Sequence, residues 1–344
     1  THMGEFEMMK KTTSALAIAA LLGTGVASAA TMQINDDTTL SIGGDFQMVY
    51  KDVTDKDGND STTFGDNGTS LVFSGSHDAG NGLTTFFNLD LDGFDTTDAG
   101  SDFQSSTGDD SSVDEASIGI RGAFGEVLIG SNGGVYDSYA DFADIEQVGD
   151  RTRFRGEGDV DDVIQYSNSV NGLDFTLEMQ VDDDSDTKGT ASSSIAAGFA
   201  YDLGNFSVSG AYDERANTTV DGTTIDEPVY GIGVSTNLGG VDVTLGYEVD
   251  DQTNSIDKTS LTGSYDVGQF TLVGSVQSVS FDSAPTAAQD RVAKNTQTDD
   301  SFTETYAAVI YNVTGQMYVY GEVMMNDRLN DEGDYTALGV YYGW

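Results

Sequence analysis

The chain has 344 residues, of which 58 are Asp or Glu and only 14 are Lys or Arg, so its formal net charge is −44. This acidity argues against a nucleic-acid partner, which needs basic patches. The absence of cysteine excludes disulfides and thiolate metal sites. Of the two histidines, His2 lies in the first eight residues, so zinc chemistry and Ser/His catalysis lack the side chains they need.

The acidity has two possible explanations. Strongly charged chains are often disordered, but the 17 Phe and 16 Tyr of this chain recur in alternating patterns that indicate a folded protein. High salt screens self-repulsion, because the Debye length falls to about 3 Å at 1 M. We therefore expect a folded protein from a halophilic source.

The first segment predicts export. Residues 1–8 are typical of a cloning remnant, and residues 9–29 have the three parts of a signal peptide, namely a basic pair, an apolar run and a cleavage motif at Lys10–Lys11, Ala15–Leu22 and Ala27–Ala29. The apolar run is too short for a membrane-spanning helix, which takes about 20 residues. The mature protein is predicted to be one unit, residues 30–344.

From residue 30 onward the sequence predicts β-strands. Glycine is abundant (42), proline is nearly absent (2), and apolar and polar residues alternate over segments of about ten residues. In the first strand Leu40, Phe46 and Tyr50 share one face, and polar residues and glycine occupy the other. Alternation alone fits either a soluble sandwich with its apolar face inside or an inverted barrel with its apolar face in lipid.

The lengths of the connections distinguish these folds. Short turns occur at 78–82, 122–126, 169–172, 202–205, 237–240, 266–269 and 312–315. Long polar connections alternate with them at 51–63, 92–112, 131–160, 181–191, 213–226, 250–257, 281–300 and 326–333. This asymmetry, with a last strand ending in Trp344, is typical of an outer-membrane barrel. We predict an all-β fold, a 16-stranded antiparallel transmembrane barrel with short periplasmic turns and long extracellular loops.

The third long connection carries a run of acids followed by arginines. The acids are Asp137, Asp141, Asp144, Glu146 and Asp150, and the arginines are Arg151, Arg153 and Arg155. If residues 137–145 form a helix, its three aspartates share a face largely opposite Tyr139 and Phe142. Such a segment could pack its aromatic side chains on a barrel wall and turn its carboxylates toward water in the lumen.

Arg121 lies on a predicted strand. A charge facing lipid near the centre of the membrane costs about 2–4 kcal/mol, so we expect this side chain to face the lumen. Two interpretations stay open for Arg121 and the three later arginines. They form a basic wall opposite the acidic loop, which sets up a transverse field, or they pair with nearby acids and only fix the loop.

Further acids alternate onto the inner face of the predicted strands, among them Asp45, Asp90, Glu248 and Glu322. A water-filled interior is polar anyway, so we expect no special role for any one of them. Together they predict a negative lumen that prefers small cations, because rings of carboxylates have this effect in cation channels.

On these features the sequence resembles the general porins of Gram-negative outer membranes. The matching segments are IGIRGAFGEVLIGS (118–131), similar to the porin pattern G-L-K/R-G-x-F-G-x-V-x-x-G-R, then VYD (135–137), and EQVGD (146–150), similar to P-E-F-G-G-D of the enterobacterial constriction loop. Ser131 replaces the usual Arg, no Pro precedes Glu146, and Trp344 replaces the usual final Phe. The resemblance implies homotrimers, with the third long loop of each barrel folded into its pore. It also matches Arg121, Glu146 and Asp150 to residues of the pore constriction.

We therefore predict a passive diffusion porin rather than an enzyme. Its expected partners are its own copies, outer-membrane lipid and lipopolysaccharide, small hydrophilic solutes and cations. The alternatives are a substrate-specific outer-membrane channel, an outer-membrane barrel enzyme and a secreted acidic β-sandwich that acts as a binding module. No cofactor is expected. The acidic loops at 52–60 and 182–186 are interpreted as solvated, with binding of Ca²⁺ or Mg²⁺ as the alternative.

Overall fold

The computed structural model describes residues 30–55, 57–92, 113–143, 145–148, 152, 154, 162–181, 193–214, 227–251, 255–282, 300–328 and 331–344, and the backbone alone of 159–161, 218–220 and 223–225. The predicted signal peptide and the acidic loop 182–186 lie outside these residues. So do five residues of the predicted constriction, Asp144, Asp150, Arg151, Arg153 and Arg155.

The described residues form twenty β-strands and one short helix, α1 (Val135–Ala140). The strands of the first half are β1 (Ala30–Asn35), β2 (Thr38–Thr54), β3 (Asp60–Asp66), β4 (Ser70–Gly80), β5 (Leu83–Leu91), β6 (Glu115–Gly122), β7 (Gly125–Gly133), β8 (Asp159–Val170), β9 (Leu173–Gln180) and β10 (Ile195–Asp202). Those of the second half are β11 (Phe206–Asp213), β12 (Thr218–Val220), β13 (Thr223–Ile225), β14 (Val229–Leu238), β15 (Val241–Asp250), β16 (Ile256–Val267), β17 (Phe270–Phe281), β18 (Ser301–Asn312), β19 (Met317–Asn326) and β20 (Tyr335–Gly343).

Sixteen strands close into an antiparallel barrel, as predicted. Each pairs with its neighbours along the chain, and the long strand β2 closes the ring by pairing with β4 on one edge and β20 on the other. Two further strands of the same sheet extend it, since β1 folds back on the start of β2 and β3 continues β4 along the end of β2. The strands β12 and β13 form a separate hairpin.

The barrel is apolar outside and polar inside. On β16, Leu261 is 53% exposed on the outer face, whereas the neighbouring inward residue Ser260 is 1% exposed. Phe46, Leu245 and Tyr342 also face outward, as the alternation predicted. A soluble sandwich would bury these side chains between sheets, so their exposure indicates a surface made for lipid.

Several predicted short turns are tight hairpins. Asn81 and Gly82 have φ values of 57° and 75°, and Asn171 and Gly172 have φ values of 54° and 82°. Two successive residues with positive φ make the turn whose twist matches that of paired strands, and Asn-Gly is its preferred sequence. Within the described ranges, no helix has the length and apolar character needed to cross a membrane.

Candidate pore constriction

The connection between β7 and β8, residues 134–158, is here called the inner loop. It contains α1, which has six residues and ends at Ala140, because Asp141 adopts φ −79° and ψ 85°. The helix therefore begins earlier and ends earlier than the predicted span of 137–145. At its entrance, the backbone N–H of Gly133 donates to Oε1 of Glu115 on β6 over 2.6 Å.

Aromatic side chains of the inner loop pack directly against glycines of the barrel wall. A Cβ added at Gly198 on β10 would lie 2.3 Å from Cδ2 of Tyr139. A Cβ at Gly233 or Gly246 would lie 2.3 Å from Cε1 or 2.4 Å from Cβ of Phe142, respectively. Real Cβ atoms do not approach so closely, so the absence of side chains at these inward positions lets the loop rest on β10, β14 and β15.

A buried ion pair supports the first part of the inner loop. Glu248 on β15 and Lys258 on β16 face each other across the two strands, with Oε1 and Nζ 2.9 Å apart and neither side chain exposed. The Tyr136 hydroxyl donates to Glu248 over 3.0 Å, and Lys258 lies 5.0 Å from the centre of the Phe154 ring. Burial raises the pKa of Tyr136 well above its usual value, and the negative charges of Glu248 and Asp141 add to this effect.

A second carboxylate holds the tip of the inner loop. Glu322 on β19 accepts hydrogen bonds from the backbone N–H groups of Gln147 and Val148, at 3.0 and 3.1 Å, and from the Tyr306 hydroxyl at 2.8 Å. Ile145 and Val148 pack beside it in an apolar cluster formed mainly by residues of β17–β20 and β2. The tip is therefore fixed by backbone hydrogen bonds and by apolar contacts.

A third carboxylate, Glu304 on β18, binds the returning segment of the inner loop. It accepts hydrogen bonds from the Thr152 backbone N–H at 3.2 Å and from the Thr152 hydroxyl at 3.0 Å. Gln277 on β17 and Arg328 after β19 also donate to Glu304, and Gln277 donates to the Thr152 carbonyl over 3.0 Å. Burial lowers the pKa of Arg328, and the nearby negative charge of Glu304 opposes this shift.

The expectation that no inward acid has a special role is wrong for Glu248 and Glu322. With Glu304, which the sequence did not single out, they are buried and each contacts the inner loop. The inward glycines opposite the loop aromatics were a usable signal, because glycine on a strand often marks close approach of another group. Nothing in the sequence around Thr152 indicated that this residue would hydrogen-bond to Glu304.

The predicted constriction residues that the structure describes lie in different surroundings. Glu146 is 8% exposed and its charge acts on Glu322, so it belongs to the layer between the loop and the wall. Asp137 and Asp141 are half-buried, near enough to Tyr136 for their charges to act on its hydroxyl. Arg121 is near a short turn, with its guanidinium 3.9 Å from Glu126 and 5.3 Å from the centre of the Phe86 ring.

The wall of β2 and β4–β9 carries inward charges that lie outside the inner loop's contacts. Only four cationic side chains belong to the described residues, and two of these, Lys258 and Arg328, pair with buried carboxylates. The others, Lys51 and Arg121, share the barrel interior with the inward acids Asp45, Asp90, Glu115, Glu126 and Asp174. On this wall, the inward acids outnumber the cations among the residues that the structure describes.

The structure is a closed barrel with an apolar outer face and a loop fixed against its inner wall. A known protein family with these features matches the sequence. A family model described as Gram-negative porin matches residues 12–331. The chain belongs to this porin family. A protein of Halomonas elongata named major outer membrane protein and one of a Halomonas species named monosaccharide porin are each 28% identical to this porin, over 97% of this chain and 100% of the relative. This porin is an outer-membrane protein.

Solved structures share the fold. A mutant of OmpT from Vibrio cholerae that lacks loop L8 superimposes with a TM-score of 0.66 at 16% identity, over 90% of this chain and all of that one. An anion-selective porin from Comamonas acidovorans gives a TM-score of 0.64 at 16% identity and the same coverage. At these identities the likeness extends to the barrel architecture alone.

Proposed function

We propose that this porin is a passive, water-filled channel that prefers small cations and carries out no enzymatic reaction. The inner loop narrows the lumen, and solutes diffuse through the space between the loop and the wall of β2 and β4–β9. The observation that carries the proposal is the charge of this wall, where Lys51 and Arg121 are outnumbered by carboxylates. Among the described residues, the wall therefore lacks a basic ladder to oppose the acids.

Fixed carboxylates raise the local concentration of cations and lower that of anions, and salt screens this effect. Cation preference should therefore be strongest in dilute salt. The net charge of −44 supports a protein that works in concentrated salt, where the preference is reduced. In that setting pore width contributes most to the choice of solute.

The test is electrical. The refolded protein is inserted into a planar bilayer, and the reversal potential is measured across a tenfold KCl gradient at low and at high mean concentration. We expect stepwise ohmic conductance and a reversal potential whose sign shows that K⁺ is more permeant than Cl⁻. The magnitude of this potential should be smaller at high concentration. Anion preference at low salt would overturn the charge assignment, and absence of conductance would overturn the channel.

A substrate-specific channel is the second candidate. It is favoured by the Halomonas relative named monosaccharide porin, which aligns along its whole length with this chain. Such a channel would bind its solute on the way through, so flux would saturate with concentration. Linear flux at all concentrations would reject this candidate and leave the diffusion channel.

We also propose that three copies associate and that the remaining outer surface contacts lipid and lipopolysaccharide. One related solved structure is a trimer form of OmpT. The outer faces of β2 and β4–β7 share an apolar hollow of about 620 Å³. Exposed tyrosines, typical of lipid interfaces, occur on β2, β10, β11, β14–β16 and β20 and on none of β4–β7. Cross-linking in mild detergent should capture three copies, and a single-copy species alone would contradict the trimer.

A further inference from the structure

A small alcove opens in the inner wall where β2 meets β4 and β20. Its volume is about 190 Å³, and its polar lining comes from Ser41, Asp45, Ser70, Ser74 and Tyr341. At about 30 Å³ per molecule, this space holds roughly six waters. It is therefore large enough for a small solute and too small for an oligomer.

Two adjacent glycines create the alcove. At Asp45, β2 stops pairing with β4 and begins to pair with β20. Gly43 faces inward between Ser41 and Asp45, and its lack of a side chain leaves the hollow open. A Cβ at Gly44 would lie 2.4 Å from the Ser70 carbonyl oxygen, so only glycine allows β2 and β4 to approach so closely here.

The alcove presents one carboxylate and several hydroxyls. Asp45 accepts a hydrogen bond from Gln47 Nε2 at 3.3 Å and others from the Ser70 backbone and Tyr341. In the described part of the chain, the hydroxyls of Ser70 and Ser74 make no hydrogen bond to another residue. Each hydroxyl can donate one hydrogen bond and accept two, so both can bind a polar solute.

Two sets of hydrogen bonds connect the surroundings of the alcove to the tip of the inner loop at Gln147. On one side, Asn67 Nδ2 donates to the Gln147 carbonyl over 2.7 Å and lies 3.5 Å from Oε1 of Gln47, the neighbour of Asp45. On the other, the Tyr318 hydroxyl donates to Gln147 Oε1 over 2.8 Å. The alcove therefore lies next to the tip of the inner loop.

The connection through Tyr318 extends to the alcove because the Tyr318 ring stacks on the ring of Tyr341. Tyr318 and Tyr341 are parallel to within 8°, with centroids 4.7 Å apart, and Tyr341 in turn hydrogen-bonds to Asp45. Tyr341 and Val72 give the alcove an apolar side beside its hydroxyls. Apolar surface next to fixed hydrogen-bonding groups is the usual composition of a site for a small organic molecule.

We propose that this alcove is a binding subsite for a neutral polyhydroxylated solute of monosaccharide size. The inference rests on the second candidate of the proposed function, a substrate-specific channel, and assigns a binding site to it. A solute hydroxyl donates to Asp45, other solute oxygens pair with Ser70 and Ser74, and the carbon skeleton lies on Tyr341 and Val72. The lining does not suit a divalent cation, which takes several oxygen ligands, because the alcove supplies a single carboxylate.

The test uses the whole protein in proteoliposomes, with D-glucose as the probe and KCl conductance measured in parallel. The wild type should show glucose influx that saturates with concentration. Asp45→Asn keeps the shape of the side chain and removes its charge, so the half-saturation concentration should rise about tenfold, as expected for loss of a charged hydrogen bond. Ser74→Val removes a hydroxyl without breaking a described hydrogen bond and should also weaken saturation.

Glu126→Gln is the matched control, because it removes a carboxylate from the same acidic wall on β7, away from the alcove. It should lower cation preference as Asp45→Asn does, yet leave the glucose half-saturation concentration unchanged. Linear glucose influx through a conducting wild-type channel would overturn the subsite and leave the channel standing. An unchanged half-saturation concentration in both alcove variants would also overturn it. Absence of conductance and of influx would overturn the channel itself.

Discussion

Two regions of the inner wall carry the same kinds of side chain in opposite surroundings. On β14–β19, Glu248, Glu304 and Glu322 lie beneath the inner loop, out of water and hydrogen-bonded to the loop or to a cation. On β2 and β5, Asp45 and Asp90 are only partly covered. In the proposed channel, the first region fixes the shape of the constriction, and the second sets the field that a permeating ion experiences.

The difference teaches that inward direction alone does not assign a role to an acid. A buried carboxylate must be paired, because its desolvation is costly, so it acts on structure. A carboxylate in contact with water keeps its charge because water solvates it, and it acts on solutes over a distance set by the salt concentration. Which case applies depends on the path of the loop.

The largest effect is expected at the covered region. Glu248→Gln leaves Lys258 charged and buried without its partner, and removal of one member of such a pair typically costs about 3–5 kcal/mol. We expect this loss in the free energy of unfolding, measured by urea titration in detergent micelles and followed by circular dichroism. The Tyr136 hydrogen bond also weakens, so open-channel current noise should increase.

The double variant Glu248→Gln/Lys258→Met is the control for this prediction. It removes both charges, so no buried ion is left uncompensated and most of the stability should return. If the double variant were as unstable as Glu248→Gln, the cost would come from lost packing rather than from the unpaired lysine. The explanation by the buried charge would then fail.

An intermediate effect is expected where Phe142 of the inner loop packs on Gly246 of the wall. Gly246→Ala places a methyl group 2.4 Å from Cβ of Phe142, and overpacking of this kind usually costs about 1–3 kcal/mol. The displaced loop should also change the single-channel conductance. Gly263→Ala on β16 is the matched control, since its nearest neighbour would be 3.6 Å away. Equal conductance changes in both variants would contradict the packing of Phe142 on Gly246.

The barrel was predictable because its signals are local. Outward residues such as Phe46 and Leu245 follow from period-two alternation, and the strand count follows from the alternation of short turns with long connections. Both features reflect neighbouring residues and the apolar solvent outside. The structure therefore confirms the 16-stranded barrel and the outward faces.

The covered region was not predictable in the same way. Thr152 meets Glu304 from 152 positions away along the chain, and alternation does not distinguish Glu304 from an acid that stays in water. The helix was predicted too long because its periodicity does not show that Phe142 turns into the wall at Gly246. Of the predicted constriction residues, the structure describes only Arg121, Asp137, Asp141 and Glu146. The transverse field thus stays a prediction.

The smallest effect tests the central claim most directly. Asp90→Asn removes one charge from the partly covered wall, and a unit charge at about 4 Å in water is worth about 1 kcal/mol. At low salt the K⁺ permeability should therefore fall, and the Cl⁻ permeability should rise, each by no more than about fivefold. The double variant Glu248→Gln/Lys258→Met should leave the reversal potential unchanged. A shift in the double variant without a shift in Asp90→Asn would contradict this division of the wall.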